Sequence, residues 1–174
     1  MSPPRVRTLV LYACAVVVYA LDRATKVWAE ASLAGEAPIE VIPGVLSFTY
    51  TTNSGGAFGL GRSAPWLFAT ATVLVSLVIV VLSLRLTRSS MAAALGLILG
   101  GALGNLTDRA LNGPGLSGHV VDFIDLHVWP VFNVADSAIV VGAILLAATT
   151  GRRERPEGDE TPADRPPRAG ELAG

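Results

Sequence analysis

Residues Gly101–Ile139 read GALGNLTDRALNGPGLSGHVVDFIDLHVWPVFNVADSAI, and this stretch decides the fold. It leaves an apolar segment through Asn105, Asp108 and Arg109 and crosses a loop containing Gly and Pro. It then passes Val120-Val121-Asp122-Phe123 and re-enters apolar sequence at Phe132-Asn133-Val134-Ala135-Asp136-Ser137. Asp122 stands between Val121 and Phe123, and Asp136 between Ala135 and Ser137. Carboxylates in such company are costly, because desolvation penalises the charged form and raises the pKa. Two brought together can share one proton, so that one serves as base and the other as acid. That constellation can hydrolyse a peptide bond without metal or cofactor. Taken singly, Asp122 reads equally as a loop carboxylate and Asp136 as an N-cap-like residue of the last helix. The polar neighbours of each, and a membrane setting, favour the paired reading.

The membrane setting comes from composition. Of 174 residues, 51% are hydrophobic and 16% charged, and mean hydropathy is +0.53. These values are too apolar for an ordinary soluble domain and indicate several membrane spans. A net charge of −1 gives no support for a nucleic-acid partner. One Cys excludes an internal disulfide, and Cys14, His119 and His127 make a poor zinc set. Asp108, Asp122 and Asp136 have the chemistry to hold a hard cation, but they lack the dense ligand spacing such sites use.

Outward from the central stretch, the sequence predicts a mainly α membrane protein: four transmembrane helices with a small extracytoplasmic β-sheet. The spans fall at about 8–28, 64–85, 89–108 and 133–150, within a four-helix membrane unit of residues 1–155. Leu11-Tyr12-Ala13-Cys14 faintly suggests a lipoprotein processing site. The apolar run before Cys14 is too short for a signal peptide and continues past it, so a retained span is expected. Asp22 and Lys26, four apart, share a face at its far end. They read as an interfacial ion pair with a snorkelling Lys, or as a functional pair inside the span.

Between the first two spans, Pro38–Ile42 and Val45–Thr52 flank Pro43-Gly44 and read as two short strands, the sheet lying within 37–60. Leu46, Phe48 and Tyr50 share an apolar face, expected to rest on the bilayer. The loop Asn53-Ser54-Gly55-Gly56-Ala57-Phe58 follows, with small residues suited to close backbone approach. In the third span Gly96, Gly100 and Gly104 form a small-xxx-small stripe that runs into Asn105, Asp108 and Arg109. Residues 156–174 carry no apolar period and read as a disordered cytoplasmic tail.

Arg5, Arg7, Arg85, Arg88, Arg152, Arg153 and Arg155 flank one side of the spans. Arg23, Lys26, Arg62 and Arg109 flank the other. The positive-inside rule then puts both termini in the cytoplasm, and residues 29–62 and 108–132 outside, with both carboxylates.

Five ordered blocks resemble the bacterial lipoprotein signal peptidase (signal peptidase II) family. They are Asp22-Arg23-Ala24-Thr25-Lys26, Asn53–Phe58, Gly104-Asn105-Leu106-Thr107-Asp108-Arg109, Gly118–Phe123 and Phe132–Ser137, within residues 8–150. The resemblance implies an aspartic endopeptidase in the bacterial inner or plasma membrane. Its substrates would be diacylglyceryl-prolipoproteins, cut just before the lipid-modified Cys, with membrane lipid as a further partner, no obligate protein partner and no cofactor. Asp122 and Asp136 match the family's catalytic positions. Asp22, Lys26, Asn53, Gly56, Asn105, Arg109 and Asn133 match positions that shape the site or hold substrate. Gly56 stands where Ala is common, and the segment between Asp122 and Asp136 is compact; both bear on substrate fit.

On this reading one ionised carboxylate takes a proton from water while its protonated partner bonds the scissile carbonyl. Asn53, Asn105, Asn133 and Arg109 are expected to pin the substrate and stabilise the oxyanion. A small transporter or proton-conducting subunit would also carry intramembrane Asp and Lys. Here the acidic residues gather at one membrane face, and no internal repeat is visible. A presenilin-like protease is disfavoured because its Gly-x-Gly-Asp motif is missing.

Overall fold

The computed structural model describes residues 3–55 and 65–151, which form four helices and three strands. In chain order these are α1 (Pro4–Leu33), β1 (Ile39–Ile42), β2 (Leu46–Asn53), α2 (Pro65–Ser83), α3 (Ser89–Leu111), β3 (Val120–Asp125) and α4 (Val134–Gly151). Gly56 and the tail 156–174 lie outside the described residues.

Among the described residues, three helices are long and apolar enough to cross a membrane: Pro4–Leu33, Trp66–Ser83 and Ser89–Leu111. The apolar stretch of α4, Val134–Thr149, is shorter. The outward faces fit lipid contact. Val16, Val17, Leu77, Val81 and Ile144 are all more than half exposed, which is tolerable only where the solvent is hydrocarbon.

Helix α3 is the centre of the bundle, with α1 and α4 packed along it and α2 touching it more lightly. Its glycines explain the close approach. A β-carbon on Gly96 would meet the carbonyl oxygen of Leu11, and one on Gly101 that of Ala135. The stripe read from sequence thus packs on α1, while Gly101 opens a second face to α4. Cores form where apolar side chains can still meet, as with Leu11, Ala15, Ile79, Leu86, Ala92, Leu95 and Leu99. A first test follows from this packing. In Gly100→Val the new β-carbon would sit 2.6 Å from the Ala15 oxygen and 2.8 Å from the Val18 β-carbon. Backbone cannot swing aside as a side chain can, so α1 must back away. The expected loss is about 1–3 kcal/mol, seen as a lowered midpoint in detergent thermal unfolding. An unchanged midpoint would mean that the helices separate freely here.

The sheet corrects two expectations. It has three antiparallel strands, ordered β1-β2-β3, and the third comes from the central stretch rather than from 37–60. The face carrying Phe48 and Tyr50 does not rest on the bilayer. It packs on Ala29 and Leu33 of α1 and on Val121, Phe123 and Val134. Trp28 meets Phe48 and Phe123 edge to face, with ring centroids 5.4 and 6.0 Å away. The physical reason lies in α1. Its 30 residues span about 45 Å, well beyond a 30 Å hydrocarbon layer, so its last turns stand clear and carry the sheet.

Candidate active site

Three elements deliver the polar residues to one place. Strand β3 carries Asp122, α3 carries Asn105, Asp108 and Arg109, and the first turn of α4 carries Asp136. Phe132 bridges back to Ile124, with backbone N–H···O distances of 3.0 and 2.8 Å. That return sets Asn133, the next residue, beside Asp122.

Asn133 caps α4. Its Oδ1 accepts the N–H of Asp136 at 2.9 Å, and Asp136 Oδ2 accepts the Asn133 N–H at 3.3 Å. This is a reciprocal capping box with Asp in the place more often held by Glu or Gln. The cap is Asn133, and Asp136 is the third residue of the helix; the N-cap-like expectation for Asp136 shifts by that much. With its oxygen committed to the helix, the Asn133 amide must face the other way. Its Nδ2 donates to Asp122 Oδ1 at 2.7 Å and also approaches Val121 O and Asn105 Oδ1, each at 3.2 Å. One fully buried side chain therefore joins the two carboxylates.

The remaining carboxylate oxygens are met by two further amides. Asn53 Nδ2 donates to Asp122 Oδ2 at 3.2 Å, its own Oδ1 being held by the Gly55 N–H at 3.0 Å. Asn105 Nδ2 donates to Asp136 Oδ1 at 2.8 Å, and its Oδ1 accepts from Lys26 Nζ at 2.9 Å. Burial pushes the Asp122 carboxyl up to about 7; the negative charge of Asp136 adds to this, and the Asn53 and Asn133 bonds oppose it. A pair whose last proton leaves near neutrality is suited to hold one proton between two acids below that pH.

Both carboxylates line a cavity of about 360 Å³ with Asn53, Gly55, Asn105 and Arg109. Phe68 and Thr72 of α2, Trp129, Phe132 and Ile139 close it on the apolar side. Arg109 donates to Gly55 O at 2.9 Å and Gly118 O at 3.3 Å, so it ties the loop after β2 to the loop before β3.

Asp22 and Lys26 form a second layer. Lys26 is 1% and Asp22 0% exposed, which overturns the snorkelling alternative. The ammonium stands 2.9 Å from both Asp22 and Asp108 as an ion pair with each, and donates a hydrogen bond to Asn105. Arg23 pairs with the other oxygen of Asp108. Asp108 therefore serves an ion-pair network and does not join Asp122 and Asp136 as a cation ligand set. Sequence reasoning passed over Asp108 as a site residue. The signal was available, since it lies one turn beyond Gly104 and three residues beyond Asn105.

A family model described as Signal peptidase (SPase) II matches residues 14–151. The lipoprotein signal peptidase of Rhodococcus jostii is 43% identical over 153 residues, covering 87% of this chain and 77% of that protein. That of Streptomyces coelicolor is 44% identical over 153 residues, covering 87% and 75%. A solved bacterial membrane enzyme, determined in meso at 2.3 Å, superposes with a TM-score of 0.73 at 30% identity, over 86% of this chain and 92% of that one.

Proposed function

This chain belongs to the signal peptidase II family, and from that premise we propose that it is an aspartic endopeptidase whose working pair is Asp122 and Asp136. It is a multi-pass bacterial membrane protease that removes signal peptides from prolipoproteins. The observation that carries the aspartic reading is the shared Asn133, which holds the buried Asp122 and the half-buried Asp136 on one cavity. With one proton between them, the ionised member takes a proton from water as the water attacks the scissile carbonyl. The protonated member hydrogen-bonds that carbonyl oxygen, and protons return to the departing amine as the tetrahedral carbon collapses. Asn53 and Asn105 fix which lone pairs face the cavity. Lys26, Asp22 and Asn133 shape the site from behind, and Arg109 shapes it from the cavity wall.

The substrate is a prolipoprotein whose Cys carries diacylglycerol, cut on the N-terminal side of that Cys. The cavity supports this reading, for its polar floor adjoins apolar walls from α2 and α4 that a lipid-bearing segment can reach from the bilayer. The positive-inside pattern puts both termini in the cytoplasm and the pair at the extracytoplasmic face. The test compares two forms of one prolipoprotein, with and without the diacylglyceryl group, on purified protein in detergent. The lipidated form should be shortened and the unmodified form left intact; equal cleavage of both would refute the lipid requirement.

A pH dependence follows from Asp122. The groups around it are Asp136, Lys26, Asn53, Asn133 and Arg109. The singly protonated pair persists up to about pH 7 and is lost above it. Turnover should therefore fall on the alkaline side with an apparent pKa near 7. For stability the sign is that of a raised carboxyl: the benefit is full below the ordinary value of 3.8 and disappears as pH rises through about 7. Asp122→Asn should flatten the decline in unfolding midpoint between those limits. An alkaline limb two units higher, or a decline unchanged in the variant, would contradict this assignment.

A further inference from the structure

A second pair of carboxylates stands behind the first. Asp108 Oδ2 accepts the backbone N–H of Val121 at 3.2 Å, and Val121 is the residue immediately before Asp122. Asp22 Oδ1 accepts the backbone N–H of Ala135 at 3.0 Å, and Ala135 is the residue immediately before Asp136. Lys26 joins these two carboxylates, at 2.9 Å to each. All three side chains are no more than 2% exposed. We propose that Asp22, Lys26 and Asp108 form a clasp that sets the separation of Asp122 and Asp136, by gripping the backbone just ahead of each.

The chemistry favours a fixed span over a general structural role. Asp22 Oδ2 has no aligned hydrogen bond, so the Lys26 ammonium is its compensation. Gly104 lies under the same carboxylate, where any β-carbon would collide with it. The clasp thus closes over three helices: α1 supplies Asp22 and Lys26, α3 supplies Asp108 and the Gly104 recess, and α4 is held by its second residue. Two anions share the Lys26 cation between them, and Arg23, paired with Asp108, balances the remaining negative charge. A charge-balanced set tolerates burial that a single buried ion does not. Lys26 also holds Asn105, the donor to Asp136, so the same ammonium fixes the backbone spacing and one amide of the working pair. These are positioning residues: none of the three lines the cavity.

The inference rests on the reading of Asp122 and Asp136 as the working pair, and its test separates the two. Asp108→Ala, Asp108→Asn and Asp22→Asn are assayed on lipidated prolipoprotein beside the wild type and Asp122→Asn. Binding is measured with a non-hydrolysable peptide carrying a secondary alcohol at the scissile carbonyl. Misplacing a reacting group by about 1 Å costs about 100-fold, so Asp108→Ala should lose about that much kcat while KM moves less than about threefold. Affinity for the alcohol should fall in step with kcat, because that ligand reports the geometry of the pair. Asp108→Asn keeps an oxygen for the Val121 N–H, and Asp22→Asn keeps one for the Ala135 N–H. Each should lose only about tenfold, as the chain is held but Lys26 is less firmly fixed.

Wild-type kcat in Asp108→Ala overturns the clasp. So does a fall in the number of alcohol-binding sites at unchanged affinity, which marks partial unfolding. Where Asp108→Ala fails to insert, wild-type kcat in both Asn variants overturns it equally. Turnover by Asp122→Asn would instead sink the working pair, whatever the clasp variants do.

Discussion

Asp122→Asn and Asp136→Asn should each reduce turnover by at least about 10⁴-fold in correctly inserted protein. An amide has nearly the shape of a carboxylate but can neither take a proton from water nor share one with its partner. The double variant should be little worse than either single one, since groups that act as a unit are not additive. The hydrogen bonds allow a finer statement about stability. Each oxygen of each carboxylate accepts an N–H, from Asn53 and Asn133 on Asp122 and from Asn105 and the Asn133 backbone on Asp136. Either Asn variant turns one acceptor into a donor that faces a donor. That conflict costs about 1–3 kcal/mol, offset by relief of burying the charge. Unfolding midpoints should therefore shift little while activity disappears, and thermal unfolding beside the cleavage assay checks both. A variant with more than a few per cent of wild-type turnover would remove that residue from the working pair.

Asn133→Ala should have the second largest effect, a loss of about 10²–10³-fold in kcat together with a lowered unfolding midpoint. The two losses have separate origins. Removing the cap of α4 costs about 0.5–2 kcal/mol, and removing Nδ2 strips Asp122 of its 2.7 Å donor. Without that donor the Asp122 carboxyl should move further above about 7, since the bond now holds it down. The alkaline limb of the pH profile should move up accordingly. Asn133→Ser separates the contributions. A hydroxyl can still cap the helix but is too short to reach Asp122, so stability should recover and kcat should not. Recovery of both would reduce Asn133 to a helix cap.

The helices were legible because hydrocarbon imposes a simple rule: backbone must be satisfied within the segment, so long apolar runs are helices. The glycine stripe at Gly96, Gly100 and Gly104 was equally plain, although its partner α1 was not. Strand β3 was missed because Val120, Val121, Asp122 and Phe123 are all buried, so the alternation that marks a half-exposed strand is absent. The apolar face of β2 was seen correctly but given the wrong partner. Nothing in residues 46–50 distinguishes lipid from the end of a long helix, and only the reach of α1 past the membrane decides it.

The polar cluster divides in the same way. Asp122 and Asp136 attract notice through their apolar neighbours, and Asp22 and Lys26 through their spacing. Arg109 and Asn133 suggest substrate contacts from sequence, and within the chain their hydrogen bonds go to Gly55, Gly118 and the Asp122–Asp136 pair. Donor capacity is visible in a sequence; the acceptor that uses it is set by tertiary contacts. Asp108 reads only as a possible cation ligand for the same reason, since the backbone N–H of Val121 that it accepts leaves no mark in composition.

The most direct test is one cleavage reaction followed by mass spectrometry. Purified protein is given a diacylglyceryl-modified prolipoprotein in the presence of a strong chelator, beside the two Asn variants. A product that begins at the lipid-modified Cys is expected, formed by the wild type at an undiminished rate and by neither variant. Loss of turnover on chelation, restored by a divalent cation, would contradict it and recast Asp122 and Asp136 as metal ligands.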